Sequence, residues 1–150
     1  MLIKKVLVAV DGSEYSERAL DFALDLAEKF SSALTILNVS EVLAMGVVPQ
    51  ESATYSFDNM SIISKDLLKI HEEILNKAVS HAKVVTPDLE VSSMLRDGDP
   101  ANEIVNVAKD SGFDMIVIGH KGSGMMRERV LGRISEKVAH LAPCPVVIVK

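Results

Sequence analysis

The chain has 150 residues, of which 48% are hydrophobic and 25% are charged, a balance typical of a folded soluble protein. We expect a single domain over residues 1–150, long enough to bury a sizeable core. The net charge of −5 and the aromatic content of 4% disfavour a nucleic-acid partner. No apolar run approaches the ~20 residues of a membrane span. The lone Cys144 excludes an internal disulfide, and a reducing cytoplasm is the expected location.

The first third of the chain is predicted to form a strand, a helix and a second strand. Lys5–Val10 and Leu34–Val39 are short, continuous apolar runs, typical of strands that are buried on both faces. Asp11-Gly12-Ser13 predicts a turn, after which Ser13 or Ser16 caps the helix. The predicted buried stripe of this helix consists of apolar residues at helical spacing: Leu20, Ala23, Leu24, Ala27 and Phe30. These elements make one βαβ unit.

The stretch Ser40–Met60 shows no sustained period and contains Gly46 and Pro49. It is predicted to be a loop of about twenty residues, which is long for a compact domain. Two interpretations remain open for this flexible loop, at about residues 40–60. It is either a flap over a site or an insertion with no role.

The rest of the chain alternates helices and strands. A helix is predicted from about Ser61 to Lys83, and Asp99 is predicted to cap another that begins at Pro100. The predicted buried positions of the second and last helices are apolar: Leu67, Ile70, Ile74, Ala78 and Ala82, then Ile134, Val138 and Leu141. The predicted strands are Val91–Leu95 (at an edge), Met115–Ile118 and Val146–Val149. This alternation indicates an α/β fold, a parallel sheet with helices on both faces.

The glycine-rich stretch after Met115–Ile118 either cradles phosphates or merely turns a corner. Backbone without Cβ atoms, placed between a strand and a helix start, can aim N–H groups at an anion. A phosphate-loop NTPase would need Lys and a hydroxyl where Met125 and Met126 stand. The dinucleotide fingerprint fails because Arg127 occupies its third glycine position. Neither common nucleotide motif is present.

Four motifs in order resemble the universal stress protein family from end to end. They are Val8-Ala9-Val10-Asp11-Gly12-Ser13, Asp97-Gly98-Asp99-Pro100, the spacing Gly119-x2-Gly122-x9-Gly132, and the ending Ala-Pro-Cys-Pro-Val-Val-Ile-Val. The resemblance implies a three-layer, Rossmann-like fold with a five-stranded parallel sheet of order 3-2-1-4-5. It also implies a homodimer through Val146–Val149 and a cytosolic regulatory role in stress responses.

One branch of that family binds ATP through Gly-x2-Gly-x9-Gly-Ser/Thr, and this chain keeps all three glycines. The resemblance implies that Asp11 meets the ribose and that the backbone of Ala9 and Val39 lies by the adenine, with Val10 also in the nucleotide site. The residues that it assigns to the phosphates are Gly119, His120, Lys121, Gly122, Ser123, Gly124 and Met125, then Gly132, Arg133, Ile134 and Ser135. ADP or AMP are alternatives to ATP, and a Mg²⁺ ion would accompany the phosphates.

The chain departs from the family's pattern at Arg133, which stands where the family has Ser or Thr. Arg133 either pairs with a phosphate or points outward and leaves Ser135 as the nearby hydroxyl. Asp11 could be only a turn former, and Lys121 could lie on a solvated face. His120 could reach a phosphate, although a lone loop histidine is usually solvent-facing. Cys144, without a local base, is expected to be buried and inert.

Three functions remain open at this point. The first is an adenine-nucleotide-binding regulator with at most slow hydrolysis, because no positioned base is recognisable. The second is a dimeric interaction module that binds no nucleotide and whose surface is recognised by an unknown regulatory protein. The presence of Arg133 favours this function. The third, a true ATPase, is disfavoured because the sequence shows no catalytic set. No metal site built from His or Cys is predicted.

Overall fold

The computed structural model describes residues 2–42, 62–122 and 131–150. The elements are β1 (Lys5–Ala9), α1 (Glu14–Phe30), β2 (Ala33–Ser40), α2 (Ile62–Val85), β3 (Val91–Asp97), α3 (Pro100–Asp110), β4 (Met115–Gly119), α4 (Arg133–Leu141) and β5 (Val146–Val149). The predicted strands and helices are therefore confirmed, with ends that shift by one or two residues. The proposed flap lies outside the described residues from position 43 to 60, and so do Ser123, Gly124 and Met125.

The five strands form one parallel sheet of order β3-β2-β1-β4-β5, which confirms the expected topology. Val8 of β1 pairs with Ile36 of β2 on one side and with Val117 of β4 on the other. The chain leaves β1 toward β2 and returns beyond β1 to form β4. A crevice is therefore expected outside the carboxyl ends of β1 and β4, where the strand order reverses.

The sheet buries an apolar core on each face. Side chains alternate along a strand, so Val6 and Val8 of β1 face α1 and α2, whereas Leu7 faces α3 and α4. All three are fully buried. This packing on both faces explains why the central strands are continuous apolar runs rather than alternating ones.

Side-chain caps fix where two helices start. The Ser13 hydroxyl accepts a hydrogen bond from the N–H of Ser16 at the start of α1. The Asp99 carboxylate accepts one from the N–H of Asn102, with Pro100 as the first residue of α3. The structure thus selects Ser13 over Ser16 as the cap. Both helices begin just beyond the carboxyl end of a strand, next to the crevice.

Four predicted core positions are wrong, because Phe30, Ile70, Ile134 and Leu141 are exposed. Phe30 and Leu141 are the last residues of α1 and α4, where the supporting turn of helix ends. Ile70 lines a groove between α1 and α2, and Ile134 lines the crevice. Helical spacing therefore identified the correct helices but overstated how far each apolar stripe is covered.

Candidate functional site

A cavity of about 330 Å³ opens at the carboxyl ends of the central strands, a volume within the usual range for small-molecule sites. Among the described residues, the ends of β1, β2 and β4 and the start of α4 line it, together with residues of α1, α2 and α3. The residues from the sequence-predicted site that line it are Ala9, Val10, Asp11, Val39, Gly119, Lys121, Gly122, Gly132, Arg133, Ile134 and Ser135. The fold therefore brings together, around one cavity, residues that are far apart in the sequence.

Gly119 is needed for the packing of α1 against the end of β4. A Cβ atom at this position would lie 2.8 Å from the carbonyl carbon of Tyr15 and 3.0 Å from the backbone nitrogen of Ser16. Such contacts are shorter than van der Waals distances and involve backbone, which cannot rotate away. The first glycine of the spacing thus lets the first turn of α1 approach the cavity.

Gly122 lies against the carboxylate of Asp11, where a Cβ atom would be 2.8 Å from Asp11 Oδ2. The other carboxylate oxygen, Oδ1, accepts a hydrogen bond of 2.9 Å from the N–H of Ser13. Asp11 is therefore a turn former and also a wall of the cavity. The structure thus bears out the turn-forming role of Asp11 and places the residue in the lining of the cavity, and its contact with a ribose stays a prediction.

Gly132 joins the start of α4 to the end of β4. Its N–H donates a 3.0 Å hydrogen bond to the carbonyl of His120, and a Cβ here would lie 3.0 Å from that same oxygen. Gly132 is the N-cap of α4 and supplies no side-chain oxygen to the first turn. The N–H groups of that turn therefore keep the capacity to bind an anion at this wall of the cavity.

Arg133 and Ser135 occupy the first turn of α4 with different environments. Arg133 is exposed, and it is one of the residues that line the cavity. Ser135 is buried, and its hydroxyl lies 2.9 Å from the carbonyl oxygen of His120 and 3.0 Å from that of Gly132. Because the Ser135 hydroxyl is engaged with backbone, Arg133 is the more accessible polar group on this turn.

His120 and Lys121 are buried, which contradicts the solvent-facing position expected for His120 and excludes the solvated face that was one of two alternatives for Lys121. The ring of Tyr15 lies close to both: its centroid is 5.9 Å from that of His120 and 6.0 Å from Lys121 Nζ. Lys121 also lines the cavity, whereas the described part of the lining does not include His120. The backbone of His120 instead ties elements together, since its N–H donates to the carbonyl of Val149 at the end of β5.

Sequence reasoning missed part of the lining, most notably His71 on α2. His71 Nδ1 lies 2.7 Å from Asn38 Oδ1, and Asn38 Nδ2 donates a 2.7 Å hydrogen bond to the carbonyl of Val10. The sequence signal was the polar Asn38 inside an apolar strand. The other missed lining residues are Ser16, Leu37, Glu41, Pro100, Ile104 and Ile118.

Within ranges 2–42, 62–122 and 131–150, no three residues of the types His, Cys, Asp and Glu come together as a metal-binding group. Among the helices of those ranges, none has the length and apolar character that crossing a membrane requires.

The fold and the cavity together define a doubly wound α/β protein with a glycine-walled site at the switch point of its sheet. Residues 2–150 match the model of the universal stress protein family, and the chain belongs to that family. The universal stress protein YxiE of Bacillus subtilis is 33% identical over 154 aligned residues, covering 99% of this chain and 100% of that protein.

Two solved structures show the same fold with a nucleotide present. A universal stress protein in complex with cAMP has a TM-score of 0.75 and 24% identity, covering 100% of this chain and 99% of its own. The universal stress protein from Archaeoglobus fulgidus in complex with dAMP has a TM-score of 0.67 and 23% identity, covering 100% of both chains. The likeness to these structures establishes the fold, and their ligands are findings about those proteins.

Proposed function

We propose that this protein is a cytoplasmic regulator of stress responses that binds an adenine nucleotide, ATP foremost and ADP or AMP as alternatives. The observation that carries the proposal is the two-ended character of the cavity. Apolar side chains of Ala9, Leu37 and Val39 line the end at β1 and β2. Glycine backbone, Lys121 and the start of α4 line the other end. A flat base at the first end and phosphates at the second match this distribution.

In this arrangement the backbone of Ala9, Val10 and Val39 would hold the adenine, and Asp11 would meet the ribose. Gly119, Lys121, Gly122, Gly132, Arg133, Ile134 and Ser135 would surround the phosphates. The resemblance extends the phosphate set to His120, Ser123, Gly124 and Met125. The cAMP and dAMP complexes of other universal stress proteins support an adenine nucleotide as the ligand class.

A Mg²⁺ ion would accompany the phosphates of bound ATP, and Asp11 is suited to hold it. Mg²⁺ prefers oxygen ligands and commonly uses one carboxylate together with the phosphates. Asp11 lines the cavity and turns Oδ2 toward Gly122, at the phosphate end. The ion would supply charge neutralisation there.

Nucleotide occupancy tests the proposal directly. Freshly purified protein is denatured and its supernatant is analysed by mass spectrometry, and calorimetric titrations follow with ATP, ADP, AMP and cAMP. We expect a bound adenine nucleotide in the supernatant or a measurable heat with at least one of the four. An empty supernatant together with no heat would refute the proposal and favour the interaction module that binds no nucleotide.

The homodimer is a separate part of the proposal. β5 lies at the end of the sheet order, and the side chains of Val146–Val149 are only partly covered within the chain. An apolar edge strand needs covering, and a second copy of β5 would provide it. Light scattering at micromolar concentration should give the mass of a dimer, and a monomer mass would contradict this part.

A further inference from the structure

We propose that His71 accepts a hydrogen bond from the 6-amino group of the bound purine. Asn38 is the positioning residue that fixes the tautomer of His71 for this contact. The inference rests on the proposed nucleotide binding, and it adds a residue of α2 that determines which base is preferred. It starts from the two 2.7 Å contacts of the buried Asn38 side chain.

The orientation of the Asn38 amide is fixed by its neighbours. The carbonyl oxygen of Val10 can only accept, so the nitrogen Nδ2 of Asn38 must face it and donate. The oxygen Oδ1 of Asn38 is then the atom that faces His71 Nδ1. Since Oδ1 can only accept, His71 Nδ1 must carry a hydrogen. A reversed amide would put its NH2 group against a nitrogen and its oxygen against a carbonyl.

The protonation of Nδ1 determines what the other ring nitrogen offers. In a neutral imidazole with a hydrogen on Nδ1, the nitrogen Nε2 carries a lone pair and is a hydrogen-bond acceptor. His71 is partly buried and lines the cavity. Because Asn38 engages Nδ1, Nε2 is the ring nitrogen that we assign to a ligand in the cavity. In the neutral side chain this nitrogen is an acceptor, and Asn38 prevents the other neutral tautomer, in which Nε2 would be a donor.

His71 lies at the end of the cavity near β1 and β2, where the proposed function places the adenine base. Asn38 precedes Val39 in β2 and bonds to Val10 at the end of β1, so His71 is anchored where these two strands end. The glycine backbone and the start of α4 belong to the side of β4, on the other side of β1. An acceptor at the base end complements the amino group of adenine and opposes the 6-oxo group of hypoxanthine or guanine.

The test compares AMP with IMP, which differ in the 6-amino and 6-oxo edge of the purine. Calorimetry in a mildly alkaline buffer measures both affinities for the wild-type protein and for His71→Asn, whose amide can still donate to Asn38 but lacks the distal acceptor. We expect the preference for AMP over IMP to fall about tenfold in His71→Asn, the effect of losing one hydrogen bond. The backbone groups of Ala9 and Val39 are unchanged, so the loss of preference reports on His71.

His81→Asn provides a matched control, because His81 lies on the same helix but lines the groove between α1 and α2. This variant should keep the wild-type preference. If His71 has only a structural role, His71→Asn should lower the affinities for AMP and IMP equally and leave their ratio unchanged. That result would overturn the inference but not the proposed function. Absence of nucleotide binding by the wild-type protein would overturn both.

A second measurement does not depend on the ligand. Nitrogen-15 NMR of the histidine side chains assigns the tautomer of the neutral rings. We expect the hydrogen of His71 on Nδ1 in the wild-type protein, and a mixture of tautomers in Asn38→Ala, together with a weaker AMP preference. Finding the hydrogen on Nε2 in the wild-type protein would overturn the inference.

Discussion

Gly122 lies so close to Asp11 that a Cβ atom on Gly122 would be 2.8 Å from Asp11 Oδ2, which is a steric clash. The two residues follow neighbouring strands, β1 and β4, and meet at the crevice between them. Moving the carboxylate of Asp11 away would break the hydrogen bond that Oδ1 accepts from the N–H of Ser13. The middle glycine of the Gly-x2-Gly-x9-Gly spacing is thus coupled to the aspartate that ends the first strand.

Gly122→Ala should destabilise the protein by about 1 kcal/mol, since the displaced carboxylate loses its hydrogen bond to Ser13. In an Asp11→Ala background the same substitution should cost much less, because the opposing oxygen is gone. Urea denaturation of the four proteins gives the coupling free energy. Equal costs in both backgrounds would show that the two positions are independent.

Gly119→Ala should be more destabilising than Gly122→Ala, at about 3 kcal/mol or more, in the range of severe overpacking. The new methyl group would meet the backbone of Tyr15 at 2.8 Å rather than a side chain that can rotate. The same urea series ranks the two variants. If Gly119→Ala is as stable as the wild-type protein, the close approach of α1 to β4 is not required.

Acid should weaken the start of α3 through Asp99. The hydrogen bond from the Asn102 N–H, and secondly the contact with Lys137, hold the pKa of Asp99 below its ordinary value of 3.8. A lowered folded-state pKa contributes stability above the unfolded value, and that contribution is lost as the pH falls through the folded value. Asp99→Asn still caps the helix but does not titrate, so its stability relative to wild type should rise below about pH 4.

Urea midpoints of both proteins between about pH 6 and about pH 2.5 provide the measurement, because this range starts above the ordinary pKa of an aspartate and extends below it, in the direction of the lowered folded-state pKa. Asp114, whose pKa is also lowered by the N–H groups of Lys4 and Lys5, is present in both proteins and cancels in the difference. A difference that stays constant with pH would contradict the role given to Asp99.

Cys144 should react slowly with alkylating reagents in the folded protein. Partial burial, and secondly the negative charge of Asp114, raise the pKa of its thiol and reduce the thiolate fraction. Alkylation by iodoacetamide should be about tenfold slower in the folded protein than in urea. Asp114→Asn should recover a minor part of the rate, whereas equal folded and unfolded rates would indicate an unprotected thiol.

The sequence predicts much of this architecture because local patterns suffice for it. Continuous apolar runs identify the buried strands, and the order of the motifs, through the family resemblance, indicates the sheet topology. The Asn38–His71 pair is different, since its members are 33 positions apart and only the packing of α2 on β2 joins them. His120 and Lys121 likewise lie beside the ring of Tyr15, which the fold brings from α1.

Arg133 replaces the family's Ser or Thr at the start of α4, and this replacement either supports or weakens phosphate binding. Arg133 lines the cavity on the first turn of α4, where backbone N–H groups already favour an anion. We expect Arg133→Ser to weaken ATP binding by about tenfold and AMP binding far less, because a charge-assisted contact to terminal phosphates is lost.

Calorimetry with both nucleotides measures the difference for Arg133→Ser. Lys137→Ser is the control, because Lys137 pairs with Asp99 one turn further along α4 and does not line the cavity. It removes the same charge from the same helix and should leave the ratio of ATP to AMP affinity unchanged. A similar loss in both variants would indicate a general electrostatic effect. Tighter ATP binding by Arg133→Ser would instead show that the arginine obstructs the site and that the family's hydroxyl is the better phosphate ligand.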